Sequence, residues 1–555
     1  MQVLNFASTL KAQSAKSRDI KQLELKVALA IKKAYPASVL MWAYDTITYT
    51  RMSAQFSGVV VSKTGTILSA AHVVMPGKTY QVMFPDGRVC IAKGLGRISI
   101  PPAFMLPDAA MMQIVEKGEF PFAGMGYSSA LTLNEPCISI AYPESLELRQ
   151  PNIRFGKVAV VKNKYGFIQS TCLMEPGDSG GPLFDLEGRV IGIHSGIETS
   201  EDINYEVPVD TYRKYWTALH KEENYTDLPK DTEVFVQELP LKSPLLKVID
   251  YANSKSAKKF ALNCFKVKSL LDGKDQQISA TLISTEGVTN KSILISKSSM
   301  IYDDPVIQLS NGKTEKAIVL ARDIRNDLVI LQVDHKIGEG IKLDATGIDS
   351  AGINSLGKFL LSPIPGSKSI ASVLGSMVFK SSKRSSYGYI GASLNVKNGK
   401  SIITVVQPNS AADIAGIKVE DEVIDVSGTT ITDALDFLRA LSKHWAGDTT
   451  LVRIKRAGAI YVNKVVLKYP PQRVANHPAE LFAGGKSIRR DGFDGIFTHD
   501  ARIKPIECGG PVCDTDGHFY GINIARISRT STAVLPVSII KQFLLTALKN
   551  KPAGK

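Results

Sequence analysis

Gly177-Asp178-Ser179-Gly180-Gly181-Pro182 is the stretch on which the reading of this chain turns. A serine hydroxyl is a poor nucleophile at neutral pH. It needs a base within hydrogen-bond reach, a group that orients the base, and donors for the developing oxyanion. The glycines let the backbone turn tightly, so the N–H groups of Gly177 and Ser179 can converge on one point as an oxyanion hole. Ser179 Oγ is then the nucleophile.

Upstream, Ser69-Ala70-Ala71-His72 sets a small-residue run before a histidine, directly after a strand-like segment. Pro107-Asp108-Ala109-Ala110-Met111-Met112 opens an apolar strand with an acid. His72 is the candidate base, and Asp108 is the group that fixes its tautomer. Asp86 falls in an Asp-Gly turn and is the weaker candidate. The order His, Asp, Ser and the Ser-Ala-Ala-His run resemble the trypsin-like and HtrA-like proteases of the chymotrypsin fold. That resemblance implies that the pocket for the residue before the scissile bond is floored near Leu173 and Met174, with Ser195 beside it. None of these is acidic, so small or medium apolar residues are expected there rather than Lys or Arg. His194 lies on the Gly192–Ile197 strand, along which substrate would run antiparallel, and is read as lining or packing. No Ile-Val-Gly-Gly-type segment precedes the motif. Asp178, whose counterpart in zymogen enzymes pairs with a freed N-terminus, therefore needs another partner.

The pattern then repeats. GTILSAAHVV, FPDGRVCIAKGLG and PDAAMMQIV are matched later by KSILISKSSMI, LSNGKTEKAIVLA and NDLVILQVD. GDSGGPLFDLEGRVIGIHSG is matched by IECGGPVCDTDGHFYGINIA, and Pro208 by Pro536. Two domains of one fold are implied. The second lacks the matching histidine: His72 maps near Ser298 or Ser299, Asp327 persists, and Cys508 takes the nucleophile position. His499, in THDARIKPIECGG, is the candidate base for Cys508. An inert Cys508 or a Cys508–Cys513 disulfide is the alternative to a cysteine nucleophile. Between about Ser385 and Tyr469 the repeat is interrupted by YIGASL, an apolar strand, QPNSAADIAGIKVEDEVIDVSGTTI and a helix. This insert resembles a PDZ domain, which adds a C-terminal or extended peptide as a strand and receives its carboxylate in a loop of N–H groups. The loop maps onto Tyr389, Ile390, Gly391 and Ala392, with Leu394 in the apolar pocket.

The expected fold is mainly β: two chymotrypsin-fold double β-barrel domains plus an inserted PDZ domain of α+β type. The expected boundaries are an N-terminal segment 1–36 with an amphipathic helix over 18–34 that Pro36 ends, an active protease-like domain 37–222 and a linker 223–242. A degenerate domain follows over 243–384 and 485–550, with the PDZ domain at 385–470 and a linker at 471–484. The chain has 555 residues, of which 44% are hydrophobic and 22% charged, ordinary values for a globular protein. A net charge of +14 favours anionic surfaces such as the cell envelope, but no Lys/Arg block interleaved with aromatics supports nucleic-acid binding. Six cysteines make no disulfide framework. No stretch is apolar enough to cross a bilayer as a helix, and the N-terminus does not read as a signal peptide. No metal or cofactor motif is found.

The HtrA/Deg resemblance implies an ATP-independent serine endopeptidase acting on unfolded or misfolded polypeptides, in an extracytoplasmic compartment (periplasmic or secreted) and often as a homo-oligomer. The family's trimer-forming features are not evident. Two other readings stand beside it: a catalytically latent peptide-binding scaffold, and a polyanion-binding envelope protein.

Overall fold

The computed structural model describes residues 2–100, 107–146, 148–236, 251–271, 273–285, 290–343, 353–471 and 476–549. The chain opens with helix Gln2–Ala34, which begins well before the expected start at residue 18. It stops where Pro36 enters a 3-10 turn, Tyr35–Ala37. Ile20, Leu23, Val27, Ala30, Ile31 and Ala34 form its buried stripe at helical spacing. That stripe lies across both large domains. Gly188 of the first domain sits under Ala30, and Gly357 of the second sits under Val27 and Ile31. Phe359 N donates to Glu24 Oε1 at 2.7 Å.

The first domain is two antiparallel β-sheets of the chymotrypsin type. The N-terminal sheet closes where Val89–Ile98 pairs with Ala109–Ile114. The C-terminal sheet runs, in spatial order, through Gln169–Ser170, Asn152–Val160, Pro136–Ala141, Pro182–Phe184, Val190–Ile197 and Asn204–Pro208. A bridge between Ile168 and Glu206 closes it.

The second domain repeats this plan. Its C-terminal sheet runs Ile370–Val373, Phe359–Ser362, Pro511–Asp514, Phe519–Arg526, Thr532–Pro536, Phe497–His499, and a Leu374–His499 bridge closes it. The PDZ-like insert leaves after Ile370–Val373 and returns before Phe497–His499. In the first domain the same two strand positions are joined by a short turn at residues 161–168. An insertion in a surface hairpin leaves both flanking ladders intact, which is why the repeat survives it.

The insert is a sheet ordered Ala392–Lys397, Lys400–Val406, Glu422–Val426, Thr449–Arg456, Ala459–Val466, with helix Ala434–Ser442 packed on it. It has its own core, around Ile390, Ile403, Phe437 and Val452. The two double-barrel domains instead share one continuous core, in which Phe155 meets Phe359 with ring centroids 5.5 Å apart.

The expected linkers are not plain spacers. Asn224–Tyr225 pairs in parallel with Arg97 and Ile98, so the start of the segment at 223–242 belongs to the first domain's sheet. Residues 237–250, which hold its end and the expected start of the second domain, lie outside the described residues. The segment at 471–484 contains a 3-10 turn, Pro478–Glu480, that reaches the first domain.

Candidate active site

Strand Thr66–Ser69 ends in a 3-10 turn, Ala71–Val73, which presents His72 at the domain surface. Ala70 and Ala71 are fully buried where the strand passes into the turn. Asp108 opens strand Ala109–Ile114, the neighbour of Thr66–Ser69 in the ladder. Its carboxylate accepts from His72 N at 2.9 Å, His72 Nδ1 at 2.7 Å and Ser195 Oγ at 2.6 Å. Burial pushes the Asp108 carboxyl up, but the bonds and charge from His72 and the Ser195 hydroxyl outweigh it and hold the group below its ordinary value. With Nδ1 engaged, Nε2 is the ring nitrogen left for chemistry. His72, Asp108, Gly177, Ser179 and Ser195 all line one cavity of about 580 Å³.

The turn carrying Ser179 is fixed from beneath. Arg154 grips Asp178 bidentately, Nη1 to Oδ2 and Nη2 to Oδ1, each at 2.6 Å. Both side chains are buried. Arg154 is thus the partner that Asp178 required, supplied from strand Asn152–Val160 in place of a chain terminus. Burial opposes the charge on Arg154, but Asp178 more than offsets it and keeps the guanidinium charged. Arg154 Nη1 also donates to Leu173 O at 2.7 Å, and Glu175 N donates to Asp178 Oδ2 at 2.9 Å.

The backbone above this pair is oriented for an anion. Pro176 O accepts from Glu144 N at 2.8 Å, so the trans peptide directs Gly177 N–H the opposite way. Asp178 O accepts from Gly181 N at 2.8 Å, which turns Ser179 N–H away from the core in the same manner. Among the described residues neither Gly177 N nor Ser179 N donates to a protein acceptor. Gly177 has φ of 98°, and a Cβ there would meet Tyr142 O at 2.4 Å. Only glycine fits.

The apolar part of the cavity is built by Phe167, Met174, Ile197 and Tyr205, with Phe167 stacked on Tyr205 at 5.4 Å. Met174 and Ser195 line the cavity. Leu173 does not: it lines a separate cavity between the two large domains, because consecutive residues of this extended segment face opposite ways. Phe167 and Tyr205 were not found from sequence, and nor were His477 and Pro478, which reach the cavity wall from the return segment after the PDZ-like insert. No local motif marks any of the four.

His194 packs as expected. It is fully buried, its Nε2 is 2.7 Å from Ser139 Oγ, and burial lowers its pKa to about 3. Across the ladder, burial pushes the Glu206 carboxyl up to about 8, although Ser170 donates to it. The unfolded carboxyl ionises near 4.5, so between the two values the folded state holds a proton that the unfolded chain has lost. Stability from this group is full below about 4.5 and is lost as pH rises through about 8. Melting temperature is therefore expected to fall from about pH 5 to about pH 8, and to fall less in Glu206→Gln. Equal declines in the two proteins would refute this origin.

The second domain reproduces the scaffold with different side chains at the corresponding positions. Ser279 N donates to Cys508 O, as Ser57 N does to Ser179 O. Ser299 N donates to Asp327 Oδ1, as His72 N does to Asp108 Oδ1. The counterpart of His72 is thus Ser299 and not Ser298, whose N–H bonds the Asp327 backbone as that of Ala71 bonds Asp108. The Ala70 position holds Lys297, whose buried ammonium pairs with Asp327 Oδ2 at 2.5 Å. His499 cannot serve Cys508. It is buried with Nε2 on Asn523 Oδ1 at 2.7 Å and Nδ1 accepting from Ala501 N. Burial raises the Cys508 thiol, although Lys297 acts in the other direction. Cys508 and Cys513 are both free thiols, so the expected alternative of a disulfide is not realised. The groove itself is filled: Ser487 N donates to Arg526 O at 2.9 Å and Ser487 Oγ lies 3.9 Å from Cys508 Sγ.

In the insert, Ile390 and Gly391 offer N–H groups with no protein acceptor among the described residues. Gly391 has φ of 74°, and a Cβ would meet Ser410 Cβ at 2.3 Å. Tyr389 is instead tied to Lys468 by a bond in each direction. Ala392–Lys397 is an edge strand open to pairing, and Leu394 is buried in the core behind it.

A hydrogen-bonded His–Asp pair sharing a cleft with a serine on a glycine turn, on this double-barrel fold, is the arrangement of a trypsin-like serine peptidase domain. Residues 56–193 match the trypsin-like peptidase domain family, and residues 388–466 match the PDZ domain family. The chain is HtrA-like in this pairing of domains. It is 28% identical over 208 residues to "Serine protease HTRA1" of Xenopus laevis, covering 36% of this chain and 44% of that one. It is 34% identical over 164 residues to "Probable periplasmic serine endoprotease DegP-like" of Hahella chejuensis, covering 28% and 33%. Each match thus spans less than half of the relative. A serine endoprotease structure from Yersinia pestis aligns over 80% of this chain and 98% of that one at 14% identity and a TM-score of 0.30, too loose a likeness to carry an argument.

Proposed function

We propose that the first domain is a serine endopeptidase cleaving unfolded or exposed polypeptide segments through Ser179, His72 and Asp108. The observation that carries this reading is the His72–Asp108–Ser195 network opening onto the cleft that holds Ser179 and the free Gly177 and Ser179 N–H groups. Ser179 Oγ attacks the scissile carbonyl while His72 Nε2 takes its proton. The oxyanion is met by the two N–H groups. His72 then returns the proton to the leaving amine, and water releases the acyl group by the same route. Asp108 stays ionised throughout, and its depressed pKa suits that role. The PDZ domain would hold a C-terminal or extended peptide at Ile390, Gly391 and strand Ala392–Lys397. The second domain would be catalytically silent. An extracytoplasmic setting fits the relative named as periplasmic.

The test is digestion of a permanently unfolded polypeptide, with fragment ends mapped by mass. Cleavage is expected after small or medium apolar residues, since Phe167, Met174 and Tyr205 reward apolar burial. The preference among apolar residues should be modest, about 10- to 200-fold per methylene. Cleavage chiefly after Lys or Arg would refute the pocket assignment, and no cleavage by protein of native fold would refute the activity.

A further inference from the structure

We propose that the second domain is a built-in activator of the first, and that Thr530 is a positioning residue for the oxyanion turn. This deepens the peptidase reading and rests on it. Glu175 immediately precedes Pro176 and Gly177, and its side chain is buried. Oε1 accepts from Ser145 N at 3.2 Å, and Oε2 accepts from Thr530 Oγ1 at 2.9 Å. Thr530 belongs to the turn between strands Phe519–Arg526 and Thr532–Pro536 of the second domain. That turn is rigid: Ile527 N donates to Ser531 O at 3.0 Å, and Arg529 and Thr530 are buried.

Arg529 locks the turn onto the first domain. Its guanidinium donates to Glu201 O at 2.7 Å and to Ser200 O and Glu198 O at 3.3 Å. Those carbonyls belong to the corresponding turn of the first domain, and Asn204 just beyond it accepts from Met174 N at 3.1 Å. The residues flanking Arg154 are held by the same neighbour. Ile153 N donates to Gly375 O at 2.8 Å and Phe155 N to Asp500 Oδ2 at 2.9 Å. Asn152 Oδ1 accepts from Thr498 Oγ1 at 2.9 Å. Both supports of the oxyanion turn, Glu175 above and Arg154 below, are therefore anchored on the second domain.

The clamp is one-sided. Ser362 pairs with Ile370 as Ser139 pairs with Arg154, so an apolar residue takes the Arg154 position in the second domain. Glu507, at the Asp178 position, bonds among the described residues only its local turn, through Lys504 N. A catalytically silent copy that has lost its own buried pair while bracing that of its neighbour is what a positioning role requires.

The test compares full-length wild type, Thr530→Val and Thr530→Ser, with Ser179→Ala as the blank. Fluorophosphonate labelling, the kcat and KM of a peptide substrate, amide hydrogen exchange over 174–181 and melting temperature are measured. Removing the hydroxyl is expected to slow labelling and kcat about 10- to 100-fold, less than the roughly 10²–10³ that outright loss of an oxyanion donor costs. KM should stay within about twofold, since a positioning loss acts on the transition state. Exchange over 174–181 should rise, and Thr530→Ser should restore all of these. Wild-type labelling and exchange in Thr530→Val would overturn the inference. So would losses in proportion to a general fall in melting temperature that Thr530→Ser does not repair. Absence of Ser179 labelling in wild type, with exchange still dependent on Thr530, would instead keep the clamp and count against the peptidase reading.

Discussion

Replacing Ser179 by Ala should lower kcat/KM for an unfolded polypeptide by about five to six orders of magnitude and leave the melting temperature nearly unchanged. The first part follows from how a triad works. Removing the nucleophile of a serine protease costs about 10⁶ in kcat, because what remains is the oxyanion hole and binding alone. The second part follows from the position of Ser179. Its backbone carbonyl holds Ser57 N, and that bond survives the substitution. No protein hydrogen bond from Ser179 Oγ is lost among the described residues, so folding has little to lose. His72→Ala should act alike in rate, since nucleophile and base work as a unit. Residual hydrolysis in Ser179→Ala that Cys508→Ala then abolishes would contradict the silent second domain.

Arg154→Met should be the most damaging single change outside the reacting groups. It leaves Asp178 buried with its charge uncompensated, and breaking such a pair costs about 3–5 kcal/mol. For a domain of this size that corresponds to a fall in melting temperature of roughly 10 °C. Activity should drop further than stability does, because Asp178 will leave the core or take up a proton and carry the Pro176–Gly177 peptide with it. Loss of the aligned N–H groups is worth about 10²–10³ in kcat. The double variant Arg154→Met, Asp178→Asn should regain most of the lost stability, since it removes the stranded charge. Calorimetry and peptide turnover on the three proteins check this. A single variant with wild-type turnover would mean that the pair is structural only.

The contrast between Ser179 and Arg154 marks what the sequence makes legible. Ser179 sits in a glycine motif that reads alone, whereas His72 and Asp108 take their proposed roles only from standing in order before it. Asp178 showed that a partner was missing, but Arg154 is 24 residues away and meets it only through strand register. The repeat showed two copies of one fold and the insert within the second, because glycine turns and apolar strands recur in both. Its alignment left the His72 counterpart open between Ser298 and Ser299, where Lys297 replaces the small Ala70 and no histidine fixes the register. Leu173 was misplaced for a related reason, since neighbours in an extended segment face opposite sides. Thr530, His477 and Pro478 left no trace at all. They reach the neighbourhood of a site in another domain, and only packing brings them there.

The most direct test of the account is the intact mass of wild type and Ser179→Ala after exposure to a fluorophosphonate, with the modified peptide sequenced. An assembled site predicts one adduct per chain, located on Ser179 and absent from the variant. An unmodified wild type of native melting temperature, or an adduct that persists in Ser179→Ala, would contradict it.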